Sequence, residues 1–229
     1  MKTTAAFCAF LLACTLVQAR DTQYLPAGEP DGATLLAPPP EADSAEQAAD
    51  LAEVRTVSRS VSKQEAAAAL ADSRFSIFSF TSAIGDFFQP GRFPRTEAFF
   101  RRVSKDTETE IDSAKEYWKR PRPYTVDRTL AEGKLEKSFS YPSGHSTGSM
   151  VMALVLADLF PAHRDAILAR ARLVGWHRVE IARHYPTDIY AGRVFAQAIV
   201  REMKKNPDFQ RDFAAAKAEL ETARQAARN

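Results

Sequence analysis

The stretch SFSYPSGHSTGSMVMALVLADLF, residues 138–160, places a polar turn directly ahead of a long apolar run. The turn carries the titratable His145 at what the pattern predicts to be the first turn of a buried helix. Backbone N–H groups at a helix start lack partners and lie at the positive end of the macrodipole, so they can bind an anion. The stretch therefore suggests a site for a phosphate-like group.

The whole chain has the composition of a globular protein. Its 229 residues are 45% hydrophobic, which is enough for one sizeable core and predicts one domain. Lys and Arg total 31 against 29 Asp and Glu, and the resulting net charge of +2 is too small for a general polyanion binder. We therefore expect no nucleic-acid partner, and any basic site must be local.

The N-terminus, residues 1–19, has the pattern of a secretory signal peptide. Lys2 precedes an apolar run from Ala5 to Val17, and VQA ends the segment with a small-residue cleavage signal. These features predict export to the periplasm or the medium. Cys8 and Cys14 both lie in this segment, so the mature chain would contain no thiol. Whether Cys14 is lipidated stays open.

The remaining sequence predicts an N-terminal arm followed by helices. Residues 20–62 are rich in Pro, Ala, Asp and Glu, and we expect an extended arm with one short helical segment. Residues 63–229 form the predicted all-α domain, because apolar residues recur at helical spacing and β-alternation of useful length is absent. The predicted helices run from an N-cap at Thr96 to Pro121, from YPSGH to Pro161, from 163 to about His184, from Pro186, and from Pro207.

Three clusters of charged or titratable side chains fall at predicted helix ends. Each one alone has an ordinary structural explanation, such as a cap or a charge that complements the helix dipole. Together they supply two histidines, a carboxylate, three cations and a helix N-terminus, which is the inventory that phosphoryl transfer needs. The clusters are AKEYWKRPRPY with Lys115 and Arg122, YPSGH with Ser143, Gly144 and His145, and GWHRVEIARHYPTD with Arg178, His184 and Asp188.

In this order and spacing the clusters resemble the three-part signature of the phosphatidic acid phosphatase type 2 superfamily. The contexts AKEYWKRPRPY, YPSGHSTG and NPDFQRDFAAAKAEL are similar to the secreted class A bacterial nonspecific acid phosphatases, from about residue 60 to the C-terminus. The resemblance implies a compact helical domain of the acid phosphatase and vanadium haloperoxidase type. It also implies hydrolysis of phosphate monoesters of broad variety, without a metal or other cofactor, and a homo-oligomer.

The resemblance assigns a role to each matching position. His184 would be the nucleophile that forms a phosphohistidine, Asp188 would orient it, and His145 would protonate the leaving group. The phosphoryl oxygens would be bound by Lys115, Arg122, Ser143, Gly144 and Arg178. One position departs from the pattern, because His177 stands where the family usually has serine. We expect His177 to have a structural role rather than a catalytic one.

Four alternatives to a secreted, metal-free phosphatase share parts of this inventory. A metal site at His145, His184 and Asp188 is disfavoured because the nearby cations would repel a divalent ion. A membrane lipid phosphatase needs spanning helices, and MVMALVLA is far too short. A phosphate-binding module would not need the histidine-carboxylate pair. A vanadate-dependent haloperoxidase would use the same anion pocket and is the closest alternative. The sequence does not identify the physiological substrate or a phosphotransferase activity.

An aromatic cluster precedes the first long helix. It could line a substrate mouth, but a Phe-rich helical stretch is more often core, and we expect core. The cluster comprises Phe75, Phe78, Phe80, Phe87 and Phe88.

Overall fold

The computed structural model describes residues 24–226. Within that range the chain is helical and contains no strand, which confirms the predicted all-α class. The predicted signal peptide and both cysteines lie outside the described residues. The α-helices are α1 Gly32–Leu35, α2 Ala45–Ser60, α3 Lys63–Ala71, α4 Thr81–Ile84, α5 Pro94–Trp118, α6 Pro123–Val126, α7 Gly144–Leu159, α8 Arg164–Glu180, α9 Pro186–Met203 and α10 Pro207–Ala226, with 3₁₀ turns at Ile77–Phe80, Arg128–Leu130 and Pro161–His163.

Helix α7 is the centre of the fold. Its apolar residues cover most of its circumference, so burial on several sides is favourable, and Val155 and Leu156 are fully buried. Helices α5, α8 and α9 pack around it. Gly192 of α9 allows a close approach, because a Cβ there would lie 3.0 Å from the Ser143 carbonyl oxygen. This packing brings the start of α9 next to the start of α7.

Helix α5 begins two residues earlier than its predicted cap. Pro94 is the first residue, a position where proline's fixed φ suits the helix and its missing N–H costs nothing. Thr96, predicted as the N-cap, lies inside the first turn, and that prediction is wrong. Its hydroxyl donates instead to Glu219 of α10, at 2.8 Å. This contact joins α5 to the C-terminal helix that packs against it.

Helix α8 ends earlier than predicted, at Glu180 rather than near His184. Ala182 adopts a left-handed conformation with φ of 52°, which ends the helical path. The N–H groups of Arg183 and His184 both donate to the Arg178 carbonyl, at 2.8 and 3.2 Å. His184 therefore lies on a tight turn between α8 and α9. The predicted starts of α9 and α10 at Pro186 and Pro207 are confirmed.

The predicted extended arm is wrong for residues 45–60, which form the 16-residue helix α2. Ser44 caps it by accepting a hydrogen bond from Gln47, and Leu51 and Val54 are buried beside Tyr185 and Ile189. The sequence did not predict this helix because its buried face combines apolar and polar residues and so lacks a continuous apolar stripe. Helix α2 packs against α8 and α9, so this segment belongs to the compact body of the protein.

The aromatic cluster divides between core and cavity. Phe80 and Phe88 are fully buried in the main core, as expected, while Phe75 and Phe78 also line the large cavity described below. The expectation of core is therefore confirmed for only part of the cluster. Separately, none of the helices between residues 24 and 226 combines the length and apolarity needed to cross a bilayer.

Candidate active site

Four helix ends converge on one cavity of about 940 Å³. Lys115 projects from the last turn of α5, His145 from the first turn of α7, and His184 from the turn between α8 and α9. The predicted residues that line this cavity are Lys115, Arg122, Gly144, His145 and His184. Arg178 instead lines a neighbouring cavity of about 1440 Å³, which shares His145 and Glu136 with the first. Ser143 and Asp188 are fully buried behind the cavity wall.

The hydrogen bonds of His184 define its tautomer. Its Nε2 lies 3.2 Å from Nη1 of Arg122, and a guanidinium can only donate, so Nε2 must accept. The hydrogen of the neutral ring is then on Nδ1, which lies 3.2 Å from Oδ2 of Asp188. Burial and the charges of Arg122 and Lys115 lower the pKa of His184 well below 6.5. The ring is thus favoured in its neutral form, with the Nε2 lone pair directed toward Arg122.

Asp188 is held by donors on both oxygens. Its Oδ2 accepts from the Tyr185 N–H at 2.9 Å and from the Ser140 hydroxyl at 2.6 Å, in addition to His184. Its Oδ1 accepts from Arg120 Nη1 at 2.6 Å. These contacts fix the carboxylate and hence the orientation of the imidazole.

Arg120 was missed by the sequence analysis. It is buried, its guanidinium lies 4.0 Å from the Tyr185 ring centroid, and its Nη2 donates to Gln47 and Asp50 of α2. Arg120 therefore connects Asp188 to a helix that was predicted to be extended arm. Its position between Lys119 and Pro121 gave no signal of this role, since one more arginine in a basic run normally indicates a solvated surface.

His145 lines both cavities, and its Nε2 is 3.2 Å from the Ser73 carbonyl oxygen. A carbonyl can only accept, so Nε2 carries a hydrogen. The Phe75 ring lies beside the imidazole, with 5.3 Å between centroids. Burial and the charge of Arg178 lower the pKa of His145 to about 4, although the Ser73 carbonyl acts in the opposite direction. In the free protein this ring carries its second proton only in acidic solution.

Two cations approach the His184 side of the cavity. Arg122 is fixed by Nε to the Ser138 carbonyl at 2.7 Å and by Nη1 to the Arg183 carbonyl at 2.9 Å. Lys115 donates to the Phe139 carbonyl, and burial together with the charge of Arg122 lowers its pKa to about 7. Lys115 is therefore a cation whose charge depends on the solution pH near neutrality.

The third predicted cation, Arg178, is fully buried and bonded to Ser73 and Glu136. Its Nη1 donates to Ser73 Oγ at 2.9 Å, and its Nη2 donates to Glu136 Oε1. Burial lowers the pKa of Arg178 to about 10, with Glu136 opposing the change, so the group stays charged in acid. Glu136 Oε2 also lies 3.5 Å from Arg122 and 3.4 Å from Arg183. In the free protein a carboxylate thus lies among arginines that could bind a phosphoryl group.

The polar turn ahead of α7 forms the predicted helix start. Ser143 is the N-cap, and its hydroxyl accepts from the Ser146 N–H at 3.3 Å. Gly144 is the first helical residue and lines the cavity. A Cβ at Gly144 would lie 3.7 Å from Ile111, which is ordinary contact, so backbone space alone does not require glycine. Binding of an anion by Ser143 and Gly144 stays a prediction.

The arrangement offers a neutral histidine whose Nε2 lone pair faces Arg122, a second titratable histidine that lines the same cavity, and fixed cations near both. This combination suits transfer of a phosphoryl group from an ester oxygen to a histidine nitrogen. Between residues 24 and 226 no group of three or more His, Cys, Asp or Glu side chains is placed to bind a metal ion.

Comparison with known proteins identifies similarity to the PAP2 superfamily and to acid phosphatases. The model of the PAP2 superfamily matches residues 108–211, a range that includes each predicted site residue. An acid phosphatase of Zymomonas mobilis is 31% identical over 201 residues, which cover 84% of this chain and 76% of the relative. A non-specific acid phosphatase of Providencia stuartii is 37% identical over 113 residues, or 47% of this chain and 46% of that protein.

A solved structure has a similar fold. It is a transmembrane PAP2-type phosphatidylglycerolphosphate phosphatase of Bacillus subtilis, with a TM-score of 0.54 and 22% identity. The match covers 76% of this chain and 89% of the other. At that identity the similarity concerns the helical architecture alone.

Proposed function

This chain belongs to the PAP2 superfamily, in which its relatives include acid phosphatases, and on that premise we propose that it is an acid phosphatase acting through a phosphohistidine at His184. The observation that carries this proposal is the tautomer of His184. Its Nε2 lone pair faces the cations of the cavity while Asp188 accepts from Nδ1. A nucleophile in this setting needs no base to activate it.

The first step transfers the phosphoryl group to the enzyme. Nε2 of His184 forms a bond to phosphorus as the bond from phosphorus to the ester oxygen breaks. The leaving oxygen takes a proton from His145, which becomes neutral, and the alcohol departs. Asp188 stabilises the positive charge that develops on the His184 ring. Lys115, Arg122 and Arg178 offset the charge on the phosphoryl oxygens.

The second step returns the enzyme to its starting state. His145, now neutral, accepts a proton from water as the water oxygen bonds to phosphorus. The bond between phosphorus and Nε2 breaks, which releases inorganic phosphate and restores the lone pair on His184. Because His145 must hold a proton in the first step, acidic solution favours turnover.

We propose that the reaction needs no metal ion. The cations already supply the charge that a divalent ion would bring to the phosphoryl oxygens, and their repulsion would weaken the binding of such an ion. Export guided by residues 1–19 is also part of the proposal, and fractionation of cells that express the full chain tests it.

Hydrolysis of an aryl phosphate in excess EDTA tests the proposed function. We expect wild-type protein to turn over the substrate and His184→Ala to lose at least about 1,000-fold in kcat, since removal of a nucleophile has effects of that size. His163→Ala changes a histidine outside both cavities and serves as the matched control, with activity retained. Loss of wild-type activity in EDTA, or full activity of His184→Ala, would contradict the proposal.

A further inference from the structure

A buried ion cluster lies next to the active site without being part of it. Asp72 follows helix α3 and is 6% exposed. Arg170 of α8 donates to it through both terminal nitrogens, at 2.7 and 2.5 Å, and His177 Nδ1 lies 2.7 Å from Oδ2. The cluster therefore fixes the chain just after α3 to the side of α8.

The residue after Asp72 contacts the active site twice. The Ser73 carbonyl accepts from His145 Nε2 at 3.2 Å, and the Ser73 hydroxyl accepts from Arg178 Nη1 at 2.9 Å. Arg178 directly follows His177 in helix α8. The segment that Asp72 anchors therefore contacts one predicted catalytic residue, His145, and one predicted phosphate-binding residue, Arg178.

Asp72 is a strong acceptor for this anchor. Burial alone would raise its pKa, but hydrogen bonds from His177 and Arg170 lower the pKa to about 2, so the carboxylate is ionised in acid. An ionised carboxylate can only accept, and His177 Nδ1 therefore donates the hydrogen. Arg170 also donates to the Ser79 carbonyl at 3.0 Å, which fixes its direction.

We propose that His177 is a positioning residue that, through Asp72, holds Ser73 in contact with His145 and Arg178. The effect on catalysis rests on the proposed function, whereas the effect on His145 itself does not. His177 lines neither cavity, so it acts through Asp72 rather than on the substrate.

The Ser73 carbonyl matters because most of its surroundings oppose a charge on His145. Burial removes water that would stabilise the protonated ring, and the charges of Arg178 and Arg122 repel it. Glu136 and the Ser73 carbonyl stabilise the protonated ring. His184 is also close enough to interact electrostatically, and the Phe75 ring lies beside the imidazole. Loss of the carbonyl contact removes one of the two stabilising influences, and the proton leaves His145 at lower pH.

Two substitutions at one position separate the hydrogen bond from the volume of the side chain. In His177→Asn the amide nitrogen stands where Nδ1 stood and can still donate to Asp72. In His177→Leu the side chain fills similar space without a donor. NMR titration of the His145 ring in the full protein reports its pKa without any need for turnover, and the pH dependence of kcat/KM reports the same group in catalysis.

We expect His177→Leu to lower the His145 pKa by roughly 0.5 to 1, which is the effect of one lost hydrogen bond. The alkaline side of the kcat/KM profile moves to lower pH by the same amount, and KM rises severalfold because Arg178 loses its contact with Ser73. In His177→Asn the His145 pKa and KM should both stay close to their wild-type values. An unchanged His145 titration in folded His177→Leu, or equal effects of the two substitutions, would overturn the proposal.

Controls separate positioning from stability. Val174→Ala creates a cavity in the same helix at a fully buried residue and should lower the melting temperature without altering the His145 titration. If His177→Leu does not fold, Asp72→Asn replaces it, with the same expected fall in the His145 pKa. Absence of turnover in the wild type would overturn the proposed function, while the titration would still decide the role of His177.

Discussion

At the scale of single residues, Glu136 occupies part of the predicted anion site. Its carboxylate contacts Arg178 and lies 3.5 Å from Arg122, so a bound phosphate must displace it or share its arginines. We expect Glu136→Gln to lower the inhibition constant of inorganic phosphate by about threefold to tenfold, because a competing charge is removed. Inhibition assays in acidic buffer measure this directly.

Glu132→Gln is the matched control for that substitution. Glu132 lies in the same irregular segment, its side chain is exposed, and only its carbonyl contacts Arg183. Its replacement should leave phosphate inhibition unchanged. If phosphate inhibits Glu136→Gln no more strongly than it inhibits the wild type, the carboxylate does not compete with phosphate.

Lys115 gives the site a second dependence on pH. Its pKa of about 7 in the free protein means that the charge is present below that pH and lost above it. Sulfate keeps the same charge across this range, so its affinity should fall as the pH rises through about 7, and calorimetry can follow it. Lys115→Arg stays charged and should flatten the dependence. A flat profile in the wild type would contradict the role of Lys115.

The sequence identified the groups that carry the chemistry but not those that fix them in place. Lys115, His145 and His184 were recognisable because each lies in a compact local pattern. Glu136 and Ser73 reach the site through contacts between segments distant in the sequence, as does Arg120, and no local pattern records such contacts. His177 was expected to be structural, and its bond to Asp72 agrees with that expectation.

At the scale of helices, α2 supports the site from behind. Asp50 accepts from Arg120 Nη2 at 2.7 Å, and both side chains are almost fully buried. Asp50→Ala should lower the free energy of unfolding by about 3 kcal/mol, because it leaves part of a buried charge unpaired. It should also reduce kcat, since Arg120 positions Asp188. Chemical denaturation and steady-state kinetics measure the two effects.

Glu53→Ala is the control on the same helix. Glu53 is exposed, and its removal should change stability by less than about 0.5 kcal/mol. If Asp50→Ala is as stable and active as Glu53→Ala, helix α2 does not support the site through Arg120.

Helix prediction succeeded where apolar spacing and proline agreed. Pro186 and Pro207 are first residues of their helices, and Pro161 follows the end of α7, all as the pattern predicted. The end of α8 was misplaced because a left-handed Ala182 has no signal in the sequence. Helix α2 was missed because Asp50 and Gln47 are buried polar residues whose partners lie far along the chain.

At the scale of the whole molecule, the charges of the cavity predict how activity depends on pH. In the free protein the pKa of His145 is about 4, and the ring loses its second proton above that pH. We therefore expect kcat/KM to fall as the pH rises through about 4. A bound phosphoryl dianion favours the protonated ring, so kcat should decline at higher pH than kcat/KM. Steady-state kinetics from pH 3 to 9 test this order, and a flat profile would contradict the role of His145.

The central claim is that phosphate is transferred to His184, and trapping the intermediate tests it most directly. Rapid mixing with an aryl phosphate, a denaturing quench in alkali and peptide mass spectrometry would locate the phosphoryl group. We predict a phosphohistidine at residue 184 in the wild type and none in His184→Ala. A phosphoryl group on another residue, or turnover of His184→Ala at the wild-type rate, would contradict the account.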